Sequence, residues 1–306
     1  YHFRRIKFIK KKNVNCPLCD SYEHKIMYFP KKEIMDPKIL YGAASGIQGT
    51  QFIVKCKKCE MIYENPRFDD EVILDGYSNA KDDGHDTQYH NRVKSFFNAI
   101  KKHKKFLPKN NAKVLDIGTS SGAFLKACEI FGYDAYGLEP SKVLTEFGKK
   151  RGLKIINGTI DNHSFENNSF DLICLWDVIE HLSDPKNSLI KIKSLLKEDG
   201  ILLINYPDIG TPLGKIFGDK FWWIISVHLH HFTKDTITKI CNKTGYNVIS
   251  SKMYWQILEF GYLIDMAIHY KIPTARIFKK IFPDFIKKIP IPYYASQTTI
   301  LAKKNK

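Results

Sequence analysis

Two pairs of cysteines carry the clearest metal-binding chemistry of this sequence. Cys16 and Cys19 form one C-x-x-C pair, and Cys56 and Cys59 form a second, with 36 residues between the pairs. Four thiolates are the ligand set of a closed tetrahedral zinc site, and four sulfur ligands leave no open coordination position. We therefore predict a structural Zn²⁺ ion. A redox role is the alternative, but neither pair lies in a thioredoxin-like βαβ context.

A second candidate site lies at the turn that follows a buried strand. The stretch VLDIGTSSGAFL, residues 114–125, predicts a strand ending at Asp116, a turn containing Gly118, and a helix starting near Gly122. Such turns, outside the carboxyl ends of the strands, are where open α/β sheets bind nucleotide-like ligands. The G-x-x-x-G spacing is neither a dinucleotide fingerprint nor a P-loop. An acidic loop without the P-loop lysine favours a cationic ligand, and a connection that binds nothing is the alternative.

A carboxylate at the end of the next predicted strand strengthens this interpretation. The strand at 133–138 ends in Glu139, which follows Asp116 by 23 residues. An acidic side chain near this spacing accepts hydrogen bonds from ribose hydroxyls, and its charge repels a 2′-phosphate.

Four motifs occur in a fixed order: VLDIGTSSGAFL, YGLEPS, FDLICLWDVIEHLSDP and LLKEDGILLINYPD. Together they resemble the class I S-adenosylmethionine (SAM)-dependent methyltransferases over roughly residues 113–206. The middle glycine of the family's D-x-G-x-G-x-G turn is Ser120 here. The resemblance implies that SAM is the cofactor. It implies these SAM-binding residues: Asp116, Gly118, Ser120, Gly122, Glu139, Pro140, Thr159, Ile160, Asp161, Trp176 and Asp177.

The resemblance gives some of these residues more specific roles. The turn at 158–161 is expected to frame the adenine, with Thr159 and Ile160 as backbone and apolar contacts and Asp161 as acceptor from the amino group. An ordinary surface loop is the alternative. Trp176 and Asp177 are expected at the carboxyl end of the fourth strand, on the ligand-binding rim.

Histidines supply candidates for the proton transfer that a methyl acceptor needs. His228, His230 and His231 lie within four residues, and in an extended segment His228 and His230 share a face. Imidazole titrates near neutrality, so we take His228, His231 and His181 as candidate general bases. The alternative is one buried structural histidine and two surface ones.

A second role is open for the segment that contains His181. Asp177, Glu180 and His181 are spaced i, i+3, i+4, on one helical face, and could form a cation site. A related E-x-x-E-H pattern occurs in some O-methyltransferases that use a divalent ion. We prefer the alternative in which Glu180 and His181 hydrogen-bond neighbouring loops.

The acceptor is suggested by resemblance alone. A zinc ribbon before a methyltransferase domain resembles a subset of the family that methylates sugars, so a small-molecule, nucleotide-linked or carrier-linked glycan is the expected acceptor, methylated on oxygen or carbon. RNA or protein methylation is an alternative. A zinc-ribbon nucleic-acid-binding protein with a vestigial methyltransferase domain is another, and it ranks lower because no recognition motif accompanies the ribbon.

Charge and composition bound the partners and the location. Lys and Arg exceed Asp and Glu by 16, which indicates an anionic partner or a compositional bias of the genome. Lysines alternate with apolar residues through 253–289, a pattern typical of peripheral membrane contact. No signal peptide and no run of 18 apolar residues is visible. We expect a cytoplasmic protein, with peripheral contact to the inner membrane face as an option, and we leave the oligomeric state open.

These elements predict a Rossmann-like, doubly wound α/β fold with a seven-stranded sheet whose last strand is antiparallel. The zinc ribbon is expected at 1–75, with strands at 25–29 and 51–55, a linker and leading helix at 76–109, and the SAM-binding domain at 110–306. The last contains a substrate loop at 207–233 and a helical insertion at 253–292. Asp82, Asp83, His85 and Asp86 are read as a solvated acidic loop rather than metal ligands, and Cys128, Cys174 and Cys241 as small buried hydrophobic residues.

Overall fold

A computed structural model describes residues 10–41, 46–78, 88–109, 111–269 and 273–305. The strands are β1 (His24–Tyr28), β2 (Ile53–Cys56), β3 (Ile62–Glu64), β4 (Lys113–Ile117), β5 (Asp134–Glu139), β6 (Lys154–Asn157), β7 (Phe170–Trp176), β8 (Leu196–Pro207), β9 (His230–His231), β10 (Tyr246–Met253), β11 (Gln256–Glu259), β12 (Pro290–Tyr293) and β13 (Gln297–Lys304). The helices are α1 (Pro37–Tyr41), α2 (Asp70–Ser78), α3 (Tyr89–His103), α4 (Ala123–Phe131), α5 (Lys142–Lys150), α6 (Pro185–Leu195), α7 (Pro212–Phe217), α8 (Lys234–Lys243), α9 (Phe260–His269), α10 (Ala275–Ile281) and α11 (Asp284–Lys287), with a 3₁₀ turn at Gly218–Lys220. Asp82, Asp83, His85 and Asp86 lie outside the described residues.

Seven strands form the central sheet, in the order β10-β13-β8-β7-β4-β5-β6. The pairings from β8 to β6 are parallel, and β13 runs antiparallel between β8 and β10. The predicted doubly wound sheet with an antiparallel last strand is therefore confirmed. The chain order reverses at β4, whose neighbours are β5 and β7. In open α/β sheets the crevice outside the carboxyl ends at such a reversal is the ligand site.

Apolar runs in the middle strands reflect burial on both faces of the sheet. In β7, Ile173 and Leu175 join one core cluster, while Leu172 and Cys174 join the cluster on the other face. Cys128 and Cys241 are also fully buried, as expected for small apolar residues.

Local sequence sets where the helices around the sheet begin. The Ser141 hydroxyl accepts from the backbone N–H of Leu144 at the start of α5, and Asp184 caps α6 ahead of Pro185. Thr233 forms a capping box with Thr236 at the start of α8. Each side chain satisfies a backbone N–H that the first helical turn leaves without an intrahelical partner.

The cysteine-containing segment forms its own antiparallel sheet of β1, β2, β3 and β9. β9 comes from far along the chain and pairs with β3, Ile62 opposite His231 and Tyr63 opposite His230. Met61 and Tyr63 belong to the same core cluster as Leu115 of β4. The segment therefore packs directly on the main sheet, and β9 ties the histidine stretch to it.

The stretch before the last strand contains the three helices α9, α10 and α11, closed at its base by the β11–β12 pair. The predicted helical insertion therefore also contains two short strands. Several large apolar side chains on it are exposed: Ile277, Phe278, Ile281, Phe285 and Ile289. Throughout the described ranges, every helix is too short or too polar to cross a bilayer.

Candidate functional site

Gly118 and Gly122 shape the turn between β4 and α4. Gly118 has a φ of +70° and Gly122 a φ of +86°, in the left-handed region that favours glycine. A Cβ on Gly122 would lie 2.4 Å from Cδ1 of Leu153, so that side chain would have to shift to admit one. Ser120 also has a positive φ, of +53°, so its backbone takes the conformation for which the resembled family carries glycine. A non-glycine residue in this region costs on the order of 1 kcal/mol.

Glu139 points into this turn from the end of β5. Its Oε2 accepts a hydrogen bond from the backbone N–H of Ser120 at 2.8 Å, and its Oε1 accepts from the N–H of Ser141 at 2.9 Å. Burial raises the pKa of the Glu139 carboxyl, and the two backbone donors oppose that rise. Each carboxylate oxygen can accept a further hydrogen bond. The carboxylate therefore lies at the crevice, where sequence spacing places it.

Asp116 lies beneath the same turn, at the end of β4. It is 2% exposed, and its Oδ1 has no hydrogen-bond partner among the residues described. Burial raises the pKa of Asp116 to about 8 and the nearby charge of Glu139 adds to the rise, while the Thr119 side chain and the charge of Arg92 oppose it. A buried acid with one oxygen unpartnered is expected where a ligand completes the site.

Arg92 is a charged residue that the sequence patterns do not single out. It lies on α3, 5.6 Å from the ring centre of Phe96, and it acts electrostatically on both Asp116 and Asp177. The sequence feature that points to Arg92 is its position on the leading helix, which the resemblance places beside the cofactor.

The turn at 158–161 is held together from within. The carboxamide oxygen of Asn162 accepts from the backbone N–H of Thr159 at 2.6 Å. Ile160 is buried in the core cluster, while Asp161 is largely exposed and forms an ion pair with Lys191. Pro140 follows Glu139, and its carbonyl accepts from the Asn157 side chain.

Trp176 and Asp177 end β7 in different environments. The Trp176 ring packs in an aromatic cluster, with ring-centre distances of 5.0 Å to Phe96 and 5.1 Å to Tyr254. The Asp177 carboxylate accepts from the side-chain amides of Asn205 and Gln297. Burial raises the pKa of Asp177 to about 6, and Arg92 and the two amides oppose the rise.

The structure does not bring together Asp177, Glu180 and His181, the cation set given as the alternative. In the preferred interpretation Glu180 and His181 hydrogen-bond neighbouring loops: His181 does so at the Val227 carbonyl, whereas the Glu180 side chain has no hydrogen-bond partner among the described residues. Asp177 is committed to Asn205 and Gln297, and Glu180 and His181 lie instead with His228, with ligand atoms within 4.8 Å of one another. The reason is local: Asp177 has a φ of +55°, so the segment turns rather than presenting one helical face.

His230 is likewise not the partner of His228. The His230 Nε2 lies 2.9 Å from the carbonyl oxygen of Leu182. The His228 ring packs 4.8 Å from His181 and 6.4 Å from His231, measured between ring centres. A sharp turn before the two-residue strand β9 breaks the alternation that an extended segment would have.

Burial acts in the same direction on all four histidines of this region. Burial lowers the pKa of His181 and of His231 to about 4, and it lowers the pKa of His228 and His230 well below the ordinary value. A neutral imidazole keeps one nitrogen lone pair, which can accept a proton or bind a cation.

The four N-terminal cysteines converge as the sequence predicts. Their sulfur atoms lie within 4.8 Å of one another, with 3.4 Å between Cys16 and Cys59 and 3.6 Å between Cys19 and Cys56. Four sulfurs bound at 2.3 Å to a tetrahedral zinc ion lie about 3.8 Å apart. The thiols are free, and their arrangement fits zinc.

A cleft of about 420 Å³ lies at the opposite edge of the sheet, between Leu107, Asp171 and Lys303. It contains none of the residues discussed above. We assign the site from the chemistry at the carboxyl edge instead, because parallel sheets bind ligands there.

Comparison with known proteins identifies the family. Residues 89–251, more than half of the chain, match the methyltransferase domain family, so the chain belongs to it. A SAM-dependent methyltransferase from Archaeoglobus fulgidus has a similar fold, with a TM-score of 0.50 and 17% identity over 73% of this chain and 100% of that one.

Two curated relatives differ in the atom that they methylate. The chain is 30% identical over 104 residues to a ubiquinone biosynthesis O-methyltransferase of Actinobacillus pleuropneumoniae serotype 5b, covering 30% of this chain and 44% of that protein. It is 29% identical over 167 residues to phosphoethanolamine N-methyltransferase 2 of Caenorhabditis elegans, covering 50% of this chain and 36% of that one. The chain therefore spans less than half the length of either relative. Neither name includes a sugar, so the glycan acceptor stays a prediction.

Proposed function

We propose that the protein transfers a methyl group from SAM to a hydroxyl group of a small-molecule or carrier-linked acceptor, with sugars as the first class to test. The observation that carries the cofactor assignment is the Glu139 carboxylate. It is fixed by two backbone donors at the rim of the glycine turn, next to the buried acid Asp116. This pair of acids suits a ligand with a diol at one end and a cationic group at the other.

Each part of SAM has candidate partners in the crevice. Glu139 would accept hydrogen bonds from the ribose hydroxyls, and the turn from Gly118 to Gly122 would allow close backbone approach. Asp116 would balance the positive amino-acid end, and Arg92 would face its carboxylate. Ile160 would pack against the adenine.

The protein's part in the reaction is to position the two reactants and to handle the acceptor proton. When bound, SAM supplies an electrophilic methyl group, so an acceptor oxygen held in line needs little further activation beyond loss of its proton. The neutral imidazoles of His181, His228 and His231 supply lone pairs for that proton. They lie beside the Glu180 turn, a few residues beyond Trp176 at the end of β7.

The aromatic stretch before β9 supports an acceptor with an apolar face. The Trp223 ring stacks on His228 at 5.8 Å between ring centres, with 22° between the planes. The indole N–H groups of Trp222 and Trp223 both donate to the carbonyl oxygen of Ala295. These partly buried rings could present a face to a sugar, and this is the support for the glycan class.

Two further proposals concern structure and location. We propose that the four cysteines hold a structural zinc ion, because their spacing suits a tetrahedral site. We also propose that the insertion contacts an anionic membrane surface. Exposed Phe285 and Ile281 stand on short helices that also carry Lys279, Lys280 and Lys287, the combination that binds at anionic lipid headgroups.

The test of methyl transfer is formation of S-adenosylhomocysteine (SAH) from SAM with an acceptor panel. The panel contains nucleotide-linked sugars, lipid-linked glycans, phenols and catechols, with phosphoethanolamine as the amine arm. SAH formation with hydroxyl acceptors alone would support the proposal. Turnover confined to the amine arm would refute the hydroxyl class, and failure of the protein to bind SAH in calorimetry would refute the enzymatic proposal itself.

A further inference from the structure

Glu180 is a buried acid that no other group in the described part of the chain satisfies. It is 1% exposed, and neither carboxylate oxygen has a hydrogen-bond partner there. Its backbone is well bound, since its carbonyl accepts from the N–H groups of Leu229 and His230 at 2.9 and 3.1 Å. A buried carboxyl with no partner for either oxygen is costly and is rare in proteins. The side chain therefore calls for a ligand that the protein itself does not supply.

The two imidazoles beside it are oriented in the same way. The Nδ1 of His181 lies 2.7 Å from the carbonyl oxygen of Val227, and the Nδ1 of His228 lies 2.8 Å from the carbonyl oxygen of Trp223. A carbonyl oxygen only accepts, so each Nδ1 carries the proton and each Nε2 keeps its lone pair. Tyr77 supports this tautomer: its hydroxyl donates to the Val227 carbonyl, so it can only accept from the Nδ1–H of His181, which lies 2.6 Å away.

This orientation is the one that metal-binding histidines have. A ligating histidine almost always donates its other ring N–H to a carbonyl or carboxylate, which fixes the tautomer and aims the lone pair. Here two imidazoles from segments far apart in sequence are fixed by backbone carbonyls beside one carboxylate that lacks a partner.

The spacing of the three groups suits a shared ion. Glu180, His181 and His228 each offer a ligand atom within 4.8 Å of the others. Ligands at about 2.1 Å from one ion lie roughly 3.4 Å apart in a tetrahedron, so side-chain movements of up to about 1.4 Å would bring the three ligand atoms to that spacing. Asp177 is not part of this group of ligand atoms, and its Oδ1 accepts from both Asn205 and Gln297.

We propose that Glu180, His181 and His228 bind a divalent transition-metal cation as a two-histidine, one-carboxylate site, separate from the four-cysteine zinc site. Three protein ligands leave a coordination position open, as in catalytic rather than structural metal sites. The nitrogen and oxygen ligands favour ions such as Zn²⁺, Fe²⁺ or Mn²⁺.

The site deepens the function proposed above and rests on it. A divalent cation lowers the pKa of a hydroxyl that reaches its open position, so the acceptor class becomes one whose oxygen can bind a cation. With the Nε2 atoms of His181 and His228 used as ligands, His231 is the imidazole left to take the proton, and its Nε2 has no partner within the described ranges.

The test measures Mn²⁺ binding by electron paramagnetic resonance on the whole chain carrying one zinc ion, in the four-cysteine site, as counted by elemental analysis, so that the proposed site starts without zinc. Mn²⁺ is chosen because it prefers oxygen and nitrogen ligands to thiolates, so the four-cysteine site does not compete. Glu180→Gln keeps the shape of the side chain and removes its charge. His228→Asn keeps a donor near the position of Nδ1, facing the Trp223 carbonyl, and removes Nε2. His230→Gln is the matched control, since it changes a neighbouring imidazole outside the set.

We expect the wild-type chain to bind one Mn²⁺ ion in addition to the zinc. Glu180→Gln and His228→Asn should each weaken the Mn²⁺ affinity at least about tenfold, and His230→Gln should retain it. Absence of Mn²⁺ binding by the wild type, or equal binding by all four proteins, would overturn the metal site. Circular dichroism confirms that each variant is folded, and SAH calorimetry is run on the same samples. If the wild type binds SAH but not Mn²⁺, only the metal site is rejected. If the wild type does not bind SAH, the methyltransferase proposal is rejected.

Discussion

Replacing Glu139 with glutamine tests the cofactor site most directly. The carboxylate accepts from Ser120 N–H at 2.8 Å and from Ser141 N–H at 2.9 Å. A glutamine has one oxygen, so it can serve only one of these donors and must place its NH₂ group against the other. The substitution therefore removes a charge, loses one hydrogen bond and brings two donors together, while side-chain volume stays nearly constant.

The magnitude follows from the hydrogen bonds that change. A hydrogen bond to a charged group contributes about 1.5–3 kcal/mol, and the ribose hydroxyls lose a charged acceptor. SAH binding should weaken about 10- to 150-fold, measured by isothermal titration calorimetry. Loss of the internal bond should lower the free energy of unfolding by about 1–3 kcal/mol, measured by urea denaturation without ligand.

Glu146→Gln is the matched control for this experiment. Glu146 lies on α5 close to Glu139 in sequence, is largely exposed and pairs with Lys149 on the surface. Surface pairs contribute little, so its SAH affinity should equal that of the wild type. If Glu139→Gln binds SAH as tightly as this control does, the carboxylate does not hold the ribose and the assignment of the crevice is wrong.

Four further predictions concern Asp116, the four-cysteine site, Gly122 and the exposed apolar face of the insertion. The pKa of Asp116 is raised to about 8 in the folded protein, so between about pH 4 and pH 8 the native protein keeps a proton that the unfolded chain loses. The stability of the ligand-free protein should therefore fall as the pH rises through that range. Asp116→Asn should flatten the fall, measured by denaturation curves at several pH values. Cys59→Ser should release the zinc measured by elemental analysis and speed proteolysis of the N-terminal segment, leaving the main sheet folded. Gly122→Ala should destabilise by more than about 1 kcal/mol, because its φ is +86° and its Cβ would meet Leu153 at 2.4 Å; an unchanged melting temperature would contradict this. Phe285→Ser should reduce the fraction of protein that sediments with anionic vesicles, and neither the variant nor the wild type should bind neutral vesicles.

The sequence predicts those features of the fold that depend on short-range chemistry. Runs of apolar residues predict the buried parallel strands, and Ser141, Asp184 and Thr233 cap the helices that follow them because a capping side chain acts within its own first turn. The strands predicted at 25–29 and 51–55, the strand that ends at Asp116 and the glycine turn are local in the same sense, and so are the two C-x-x-C segments that carry the four cysteines.

The arrangement of the histidines needed the tertiary structure. His181 and the Val227 carbonyl are 46 positions apart, and Asp177 and Gln297 are 120 apart. These pairs depend on how β9 docks on β3 and how β13 inserts between β8 and β10. No local pattern encodes that docking.

What the sequence by itself determined is therefore the set of chemical groups: four thiols for zinc, two acids at adjoining strand ends, and imidazoles after the fifth parallel strand. What only the tertiary structure decided is which of them lie together: Asp177 hydrogen-bonds Asn205 and Gln297, and His228 lies beside Glu180 and His181. The physical reason is that periodicity and capping act over a few residues, whereas the position of a buried side chain is set by packing between distant segments.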